Sequence, residues 1–247
     1  MQKTVIVVPC YNEAKRLKTA EFADFLEKHP DVDLCFVNDG SSDDTSKILL
    51  AFAQERAVRV DVVEMKQNEG KASAVRHGVL HALKKNSCRY VGYWDADLAT
   101  PLSLLPDFLG VAEKKPGLLI IMGSRINRMG AAIHRQWHRH YLGRLFGTVA
   151  SIFLKIPVYD TQCGAKLVEA GLARKIFAEP FHAEWLFDVE MLARAINELG
   201  RPVAMGSIFE IPLDRWEDVS GSKLKAWHYL LAVIDLAKIW RHNKNKR

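Results

Sequence analysis

The sequence predicts an α/β fold in which a mostly parallel sheet is covered by helices on both faces. Three observations carry this. Strand and helix signals alternate regularly through the first half of the chain. The strand signals are nearly continuous apolar runs, such as Thr4 to Val8, as expected of strands covered on both sides. The polar motifs fall where those strands end, which is where such sheets bind ligands.

Taken in order, Thr4 to Val8 is β-branched throughout and reads as the first strand. Pro9 lacks an amide donor and is expected to close it. Ala14 to Lys28 reads as helix, with Asn12 as a residue able to cap it. Asp33 to Val37 and Asp43 to Gln54 repeat the strand and helix, and Ser42 or Asp43 is suited to cap the latter. Val58 to Glu64 is a third strand. Lys71 to Lys85 is a third helix, with Ala72, Val75, Val79 and Leu83 along one face. Tyr90 to Trp94 is a fourth strand and Leu118 to Met122 another. Beyond it the pattern changes. His134 to Leu154 is basic and helical, Asp160 to Val168 is polar and extended, and Glu184 to Leu199 is an amphipathic helix. Val203 to Leu213 reads as a late strand and Lys223 to Arg241 as a final helix. No linker separates the halves. The expected organisation is one domain over residues 1–222, followed by an amphipathic helix and basic tail over 223–247.

Composition narrows the class. The chain has 247 residues, 49% of them hydrophobic and 26% charged, which describes a globular protein rather than a disordered one. No window holds the roughly 18 uninterrupted apolar residues of a spanning helix. The start runs straight into a strand, so no signal peptide is expected. Cys10, Cys35, Cys88 and Cys163 are scattered, which argues for reduced thiols rather than zinc or disulfides. The net charge of +6 is uneven: Arg125, Arg128, Arg135, Arg139 and Arg144 cluster mid-chain, and the last seven residues hold four Lys or Arg. That excess suits nucleic acid, anionic lipid or a phosphorylated substrate. Exposed aromatics interleaved along a basic platform are lacking, so nucleic acid is set aside.

The run Tyr93-Trp94-Asp95-Ala96-Asp97-Leu98 is the sharpest chemical signal. Two carboxylates one residue apart, at the end of a buried strand, can share one hard divalent cation such as Mg²⁺ or Mn²⁺. Alternation along an extended chain would aim both at one side and Ala96 at the other. Such a cation neutralises a diphosphate, which points to a nucleotide-linked substrate. Tyr11 can pack on a base, and Glu13 can accept hydrogen bonds from a base or sugar. Asp39 lies at the tip of the second strand, where its carboxylate can reach a base N–H or a ribose hydroxyl. Gly70 allows close backbone approach, and Lys71, in the first turn of a helix, is placed against the helix dipole. That misfit hints at a phosphate or base partner. Neither G-x-x-x-x-G-K-[ST] nor G-x-G-x-x-G is present.

Four segments now stand in order: Val8-Pro9-Cys10-Tyr11-Asn12-Glu13, the run from Asn38 to Thr45, Asn68-Glu69-Gly70-Lys71, and Asp95-Ala96-Asp97. This set resembles family 2 of the nucleotide-sugar glycosyltransferases over roughly residues 4 to 225. Gly123-Ser124-Arg125, the run from Asp160 to Lys166, and Trp185-Leu186-Phe187-Asp188-Val189-Glu190 are similar to the polyprenyl- and dolichyl-phosphate hexosyltransferases. Trp216 with Gly221-Ser222-Lys223 is nearer the glucosyl than the mannosyl branch.

The resemblance implies a GT-A fold and metal-dependent, inverting transfer of a hexose, glucose favoured, from a nucleotide sugar to a polyprenyl or dolichyl phosphate. UDP-hexose is the favoured donor and GDP-hexose the alternative. By resemblance Pro9, Tyr11, Glu13, Asp39 and Lys71 would hold the nucleotide, joined by Asp95. Asp95 and Asp97 would bind Mg²⁺ or Mn²⁺. Asp160 and Asp188 compete for any base role, Asp160 slightly ahead. Trp185 and Glu190 would contact the sugar. Arg125, Arg135 and Arg139, with Ser222 and Lys223, would meet the acceptor phosphate, since guanidinium matches phosphate geometry. Ala165 departs from the aromatic residue usual in relatives.

Leu224 to Trp240 is apolar but broken by charges and ends before a basic tail. It reads as a helix lying in a membrane interface, or else as one packed on the domain. The expected location is the cytoplasm, with peripheral contact to the cytoplasmic face of a membrane. Two other functions fit the same motifs: transfer to a soluble sugar or glycan, and non-catalytic binding of a nucleotide sugar.

Overall fold

The computed structural model describes residues 3–85, 87–134, 137–217 and 228–244. In chain order the elements are β1 (Thr4–Cys10), α1 (Thr19–Lys28), β2 (Val32–Asn38), α2 (Thr45–Gln54), β3 (Val60–Glu64), α3 (Lys71–Lys85) and β4 (Tyr90–Trp94). A 3-10 turn (Leu102–Leu104) precedes α4 (Leu105–Lys114), β5 (Ile120–Ser124), β6 (Ala132–His134), α5 (Trp137–Leu154), β7 (Ala165–Glu169) and α6 (Ala170–Ile176). The chain continues with α7 (Phe187–Leu199), α8 (Arg201–Ser207), β8 (Ile208–Pro212), β9 (Arg215–Glu217) and α9 (His228–Lys244). Two compact units result. Unit 1 is Met1–Leu98 with Ala165–Pro180, and unit 2 is Ala99–Gly164 with Phe181–Arg247.

In unit 1 the strands lie in the order β3-β2-β1-β4-β7. The first four are mutually parallel and β7 runs antiparallel to β4. Strand order turns back at β1, since β2 and β3 lie on one side of it and β4 on the other. The carboxyl ends of β1 and β4 therefore flank a switch point, the place where open α/β sheets bind ligands. Both faces are covered. Phe36 of β2 meets Phe22 of α1 and Phe52 of α2 edge-on, at 5.1 and 5.8 Å between ring centroids. Val37, the next residue, points to the opposite face, where α3 lies. The α3 positions expected to face inward, Ala72, Val75, Val79 and Leu83, are all buried.

Unit 2 holds the parallel pair β5–β8 and the parallel pair β6–β9. Of the face expected to turn inward, Leu186, just before α7, and Val189 and Leu192 are buried, whereas Ile196 and Leu199 are half-buried. Helix α9 buries Ala232, Asp235 and Ile239. These share one face, which is turned onto protein, whereas Ile234 is 50% exposed. Of the helix expected over Leu224 to Trp240, residues 224–227 lie outside the described ones.

Other departures have local causes. Strand β1 runs through Pro9 to Cys10, because the ladder to β4 ends at Val7 and only β2 borders Pro9. Asn12, at φ 55°, does not cap α1; its side chain accepts from the Ser42 amide at 2.9 Å and ties two loops together. The expected strand from Val203 begins as α8, since Pro202 suits a first helical turn, and becomes β8 only at Ile208. Helices α4 and α6 had no expected counterpart.

Helix α3 approaches β1 and β2 closely at Gly78, where a Cβ would come within 2.3 Å of Val7 Cγ1 and 2.7 Å of Val37 Cγ2. Both neighbours are stiff, branched and buried. Gly78→Val is expected to lower stability by about 1–3 kcal/mol through overpacking. A shifted urea midpoint checks it, and an unchanged midpoint would show that the interface yields.

Candidate active site

In unit 1 the candidate residues gather at the strand carboxyl ends. Strand β4 stops at Trp94, and Asp95-Ala96-Asp97-Leu98 forms a tight turn closed by the Leu98 amide on the Asp95 carbonyl at 3.1 Å. Leu98 takes φ 53°. Asp95 and Asp97 are half-buried, whereas Ala96 is buried. The two aspartates lie on a turn rather than on an extended strand, so strand alternation does not set their directions.

Asp95 Oδ1 accepts from Lys71 Nζ at 2.5 Å. Lys71 thus has a carboxylate to offset its position at a helix N-terminus. Its Nζ also lies 6.0 Å from the centre of the Tyr93 ring. Across the strand pair, Tyr93 stands opposite Lys166, whose Nζ is 5.1 Å from the same ring. Lys166 is fully buried, and the sequence reading gave it no role although it quoted the segment. Two ammonium groups therefore flank the ring that precedes the acidic turn.

Among the described residues no group of three or more His, Cys, Asp or Glu could hold a metal ion. A two-carboxylate turn fits a Mg²⁺-type ion nevertheless. Such ions are commonly held by one or two carboxylates, with substrate phosphates and water completing the shell. The Lys71 ammonium already beside Asp95 shows that the turn accommodates a cation.

Asp39 and Glu13 are engaged within the chain. Asp39 is buried, and its carboxylate accepts from the amides of Glu69 at 2.8 Å and Gly70 at 3.0 Å and from Asn68 Nδ2 at 3.2 Å. Burial pushes its carboxyl up, against the pull of the two amides. Gly40, at φ 62°, lets the following loop pass: a Cβ there would lie 2.3 Å from the Gln67 carbonyl carbon. Asp39 is thereby the clamp that fixes the loop leading into Lys71. Glu13 is held by the Arg16 fork, at 2.9 Å to Nε and 2.5 Å to a terminal nitrogen. Tyr11 is half-buried beside it in sequence.

In unit 2, Arg125 and Asp160 hold each other. Asp160 accepts from the Arg125 amide at 3.0 Å, from Nε at 2.6 Å, from a terminal guanidinium nitrogen at 2.8 Å, and from the Gln162 amide at 3.1 Å. Four donors thus meet one carboxylate, which holds the Arg125 guanidinium in a fixed direction. Glu210, which that reading missed, accepts from the amides of Tyr159 and Asp160, both at 2.8 Å. Burial pushes the Glu210 carboxyl up. Gly123 allows Cys163 to pass: a Cβ would lie 2.9 Å from its Sγ. The Arg125 guanidinium carbon lies 5.4 Å from the centre of the Trp216 ring.

Glu190 was expected to contact sugar. Its Oε2 accepts from the amides of His182 and Ala183 at 2.8 and 2.9 Å, and its Oε1 from His182 Nδ1 at 3.0 Å and Arg194 at 2.7 Å. Both oxygens fasten the segment before α7 to the helix, so the sugar role is withdrawn on this geometry. Trp185 is half-buried, and its amide and that of Leu186 donate to Asp235 of α9 at 3.0 and 3.2 Å. Asp188 is 4% exposed in the first turn of α7. The side chain of Arg139 lies outside the described residues, as do Arg135, Ser222 and Lys223.

Comparison with known proteins places this geometry. The profile of glycosyl transferase family 2 matches residues 5–177. A dolichyl-phosphate beta-glucosyltransferase of Drosophila melanogaster is 34% identical, over 95% of this chain and 73% of its own. One of Saccharomyces cerevisiae is 33% identical, over 89% and 68%. Among solved structures, glucosyl-3-phosphoglycerate synthase of Mycobacterium tuberculosis, in complex with Mn²⁺, uridine-diphosphate-glucose and phosphoglyceric acid, superimposes with a TM-score of 0.66. It is 18% identical and covers 96% of this chain and 80% of that one. That likeness shows the fold, which is the GT-A fold implied by the sequence.

The Glu190 network carries a pH signature. Burial works to raise its carboxyl, but hydrogen bonds from His182 and Ala183 and the Arg194 charge outweigh it and hold it below the usual range. Its stabilisation is therefore present above the unfolded carboxylate pKa and lost as pH falls through the lowered folded one. Glu190→Gln is expected to cost about 1–3 kcal/mol at neutral pH, with the gap to wild type closing in acid. Urea titrations at several pH values check this; a gap that is constant with pH would assign the cost to shape alone.

Proposed function

The chain belongs to glycosyl transferase family 2, and from that premise we propose that it transfers glucose from UDP-glucose to a dolichyl or polyprenyl phosphate with inversion at the anomeric carbon. The observation that carries this reading is the turn at Asp95-Ala96-Asp97 at the carboxyl end of β4, with two half-buried carboxylates, the first paired with Lys71. The named relatives support the glucosyl donor and lipid-phosphate acceptor.

Asp95 and Asp97 would hold Mg²⁺ or Mn²⁺, and the bound cation would supply charge neutralisation for the departing diphosphate. The remaining work falls to side chains. With the cation on Asp95, Lys71 would turn its ammonium to a phosphate oxygen. Asp39 supports this by fixing the loop that ends in Lys71. Tyr11 and Glu13, with Pro9 setting the end of β1, are the contacts proposed for the nucleoside. GDP-hexose remains the competing donor.

A lipid phosphate is already an anion, so its attack needs positioning and charge more than a base. Arg125 is the residue proposed to supply both, with its fork direction set by Asp160 and its flank by Trp216. Arg135, Arg139, Ser222 and Lys223 are further candidates from the sequence. Asp188 is assigned to orient the sugar or the acceptor, with Trp185 beside it in sequence. A lipid acceptor and a nucleotide-sugar donor together place the protein peripherally on the cytoplasmic face of a membrane. No helix among the described residues is long and apolar enough to cross one.

The central test is Asp97→Ala. Release of UDP from UDP-glucose, with Mn²⁺ and a short polyprenyl phosphate, is expected to fall on the order of 100-fold or more. Thermal melting should be unchanged, and the wild-type product should extract into organic solvent. Turnover that persists in EDTA overturns the cation assignment; a product that stays in water overturns the acceptor. A second test uses the pairing of Arg125 with Asp160. Arg125→Lys and Asp160→Asn are each expected to slow the acceptor step about 10-fold or more, and the double substitution to be little worse than either. Additive losses would show that the two act separately.

A further inference from the structure

From Leu145 onward, helix α5 carries apolar residues on two opposite sides. Its inner side is built of small or buried residues: Ala150 is fully buried and Leu154 is 5% exposed. Gly147 lies so close to the chain that a Cβ would sit 2.2 Å from the Tyr159 carbonyl oxygen. The opposite side carries Leu145, Val149 and Ile152, which are 63%, 39% and 71% exposed. Spacings of four and three residues put these on one stripe. Thr148 lies on the same side, and its hydroxyl donates to the Arg144 carbonyl within the helix at 3.0 Å, so it asks little of water. A helix on the surface of a globular protein ordinarily turns polar residues outward, and one that is apolar all round has a second apolar environment.

The charge around this stripe names that environment. Residues 114–159 contain eight Lys or Arg and no Asp or Glu. Arg125 and Arg128 are answered by Asp160 and Asp214 from beyond that stretch, whereas Arg144 and Lys155 are exposed at the edge of the stripe and near its end. Aliphatic residues flanked by cations suit the headgroup zone of an anionic bilayer, where the chains bury shallowly and the cations meet phosphates.

We propose that the outer face of α5, formed by Leu145, Val149 and Ile152 with Arg144 and Lys155, is the surface by which this protein docks on an anionic lipid bilayer. This deepens the lipid-acceptor reading and rests on it for its purpose. No residue of the stripe belongs to the proposed catalytic or binding groups.

The test is co-sedimentation of the full chain with vesicles of phosphatidylcholine, with or without phosphatidylglycerol. Wild type is expected to favour the anionic vesicles and to release in high salt. Leu145→Ser with Ile152→Ser, and separately Arg144→Glu with Lys155→Glu, are expected to lower partitioning about 10-fold or more. Transfer to a short, water-soluble polyprenyl phosphate should be unchanged in the serine variant, which reports that it folds. The proposal is overturned if the serine variant partitions like wild type. It is equally overturned if removing Asn245-Lys246-Arg247 alone abolishes binding, or if the stripe instead mediates self-association seen by sedimentation velocity without vesicle binding. The two readings separate cleanly. Transfer without vesicle binding removes the docking face alone, whereas stripe-dependent binding without any transfer removes the acceptor reading and keeps the face.

Discussion

Negative charge crowded at the carboxyl ends of parallel strands must be answered by positive charge or by amides, and unit 1 is arranged around that requirement. Lys71 answers Asp95, Arg16 answers Glu13, and the amides of Glu69 and Gly70 answer Asp39. These partners are not equivalent. Arg16 is a rigid fork and the amides are fixed by backbone, whereas the Lys71 ammonium sits on a flexible stem and is 40% exposed. Of these three pairings, that of Lys71 is the least constrained by the backbone.

Unit 2 solves a different problem, the presentation of a cation. A guanidinium with both carboxylate bonds satisfied keeps its plane and loses side-chain freedom beforehand. Glu210 adds to this by holding the two amides that precede the carboxylate of Asp160. The acidic residues of this unit thus act mainly on protein groups: Asp160 on Arg125, Glu190 on the segment before α7, and Asp235 on the start of α7.

Much of this was legible from residues alone. Helix α3 and strand β4 fall on the expected boundaries, because a strong apolar period and sharp flanking turns define both. The motif set located every strand end that matters in unit 1. What the sequence could not convey was how each carboxylate is spent. Asp39, Asp160 and Glu190 look alike as acids near loops, and only distances separate a clamp from a ligand-facing group. The missed partners Arg16, Arg194 and Glu210 lie 3, 4 and 50 residues from the groups they hold, so only the first two were within reach of local reasoning. Helix α8 was read as strand because β-branched Val203 and apolar Met205 mask the helix start at Arg201-Pro202. In helix α9 the charge that breaks the apolar run, Asp235, is buried in a polar contact that no periodicity reveals.

That contact ties the far end of the chain to the middle. Asp235 receives two amides that begin α7, one turn before Asp188. Proteolytic clipping ahead of α9 would strand those donors at a cost of about 1–3 kcal/mol for each one buried. The trimmed protein would keep unit 1 while the helix that carries Asp188 frays from its first turn. Order at the start of α7 thereby depends on a helix some fifty positions downstream.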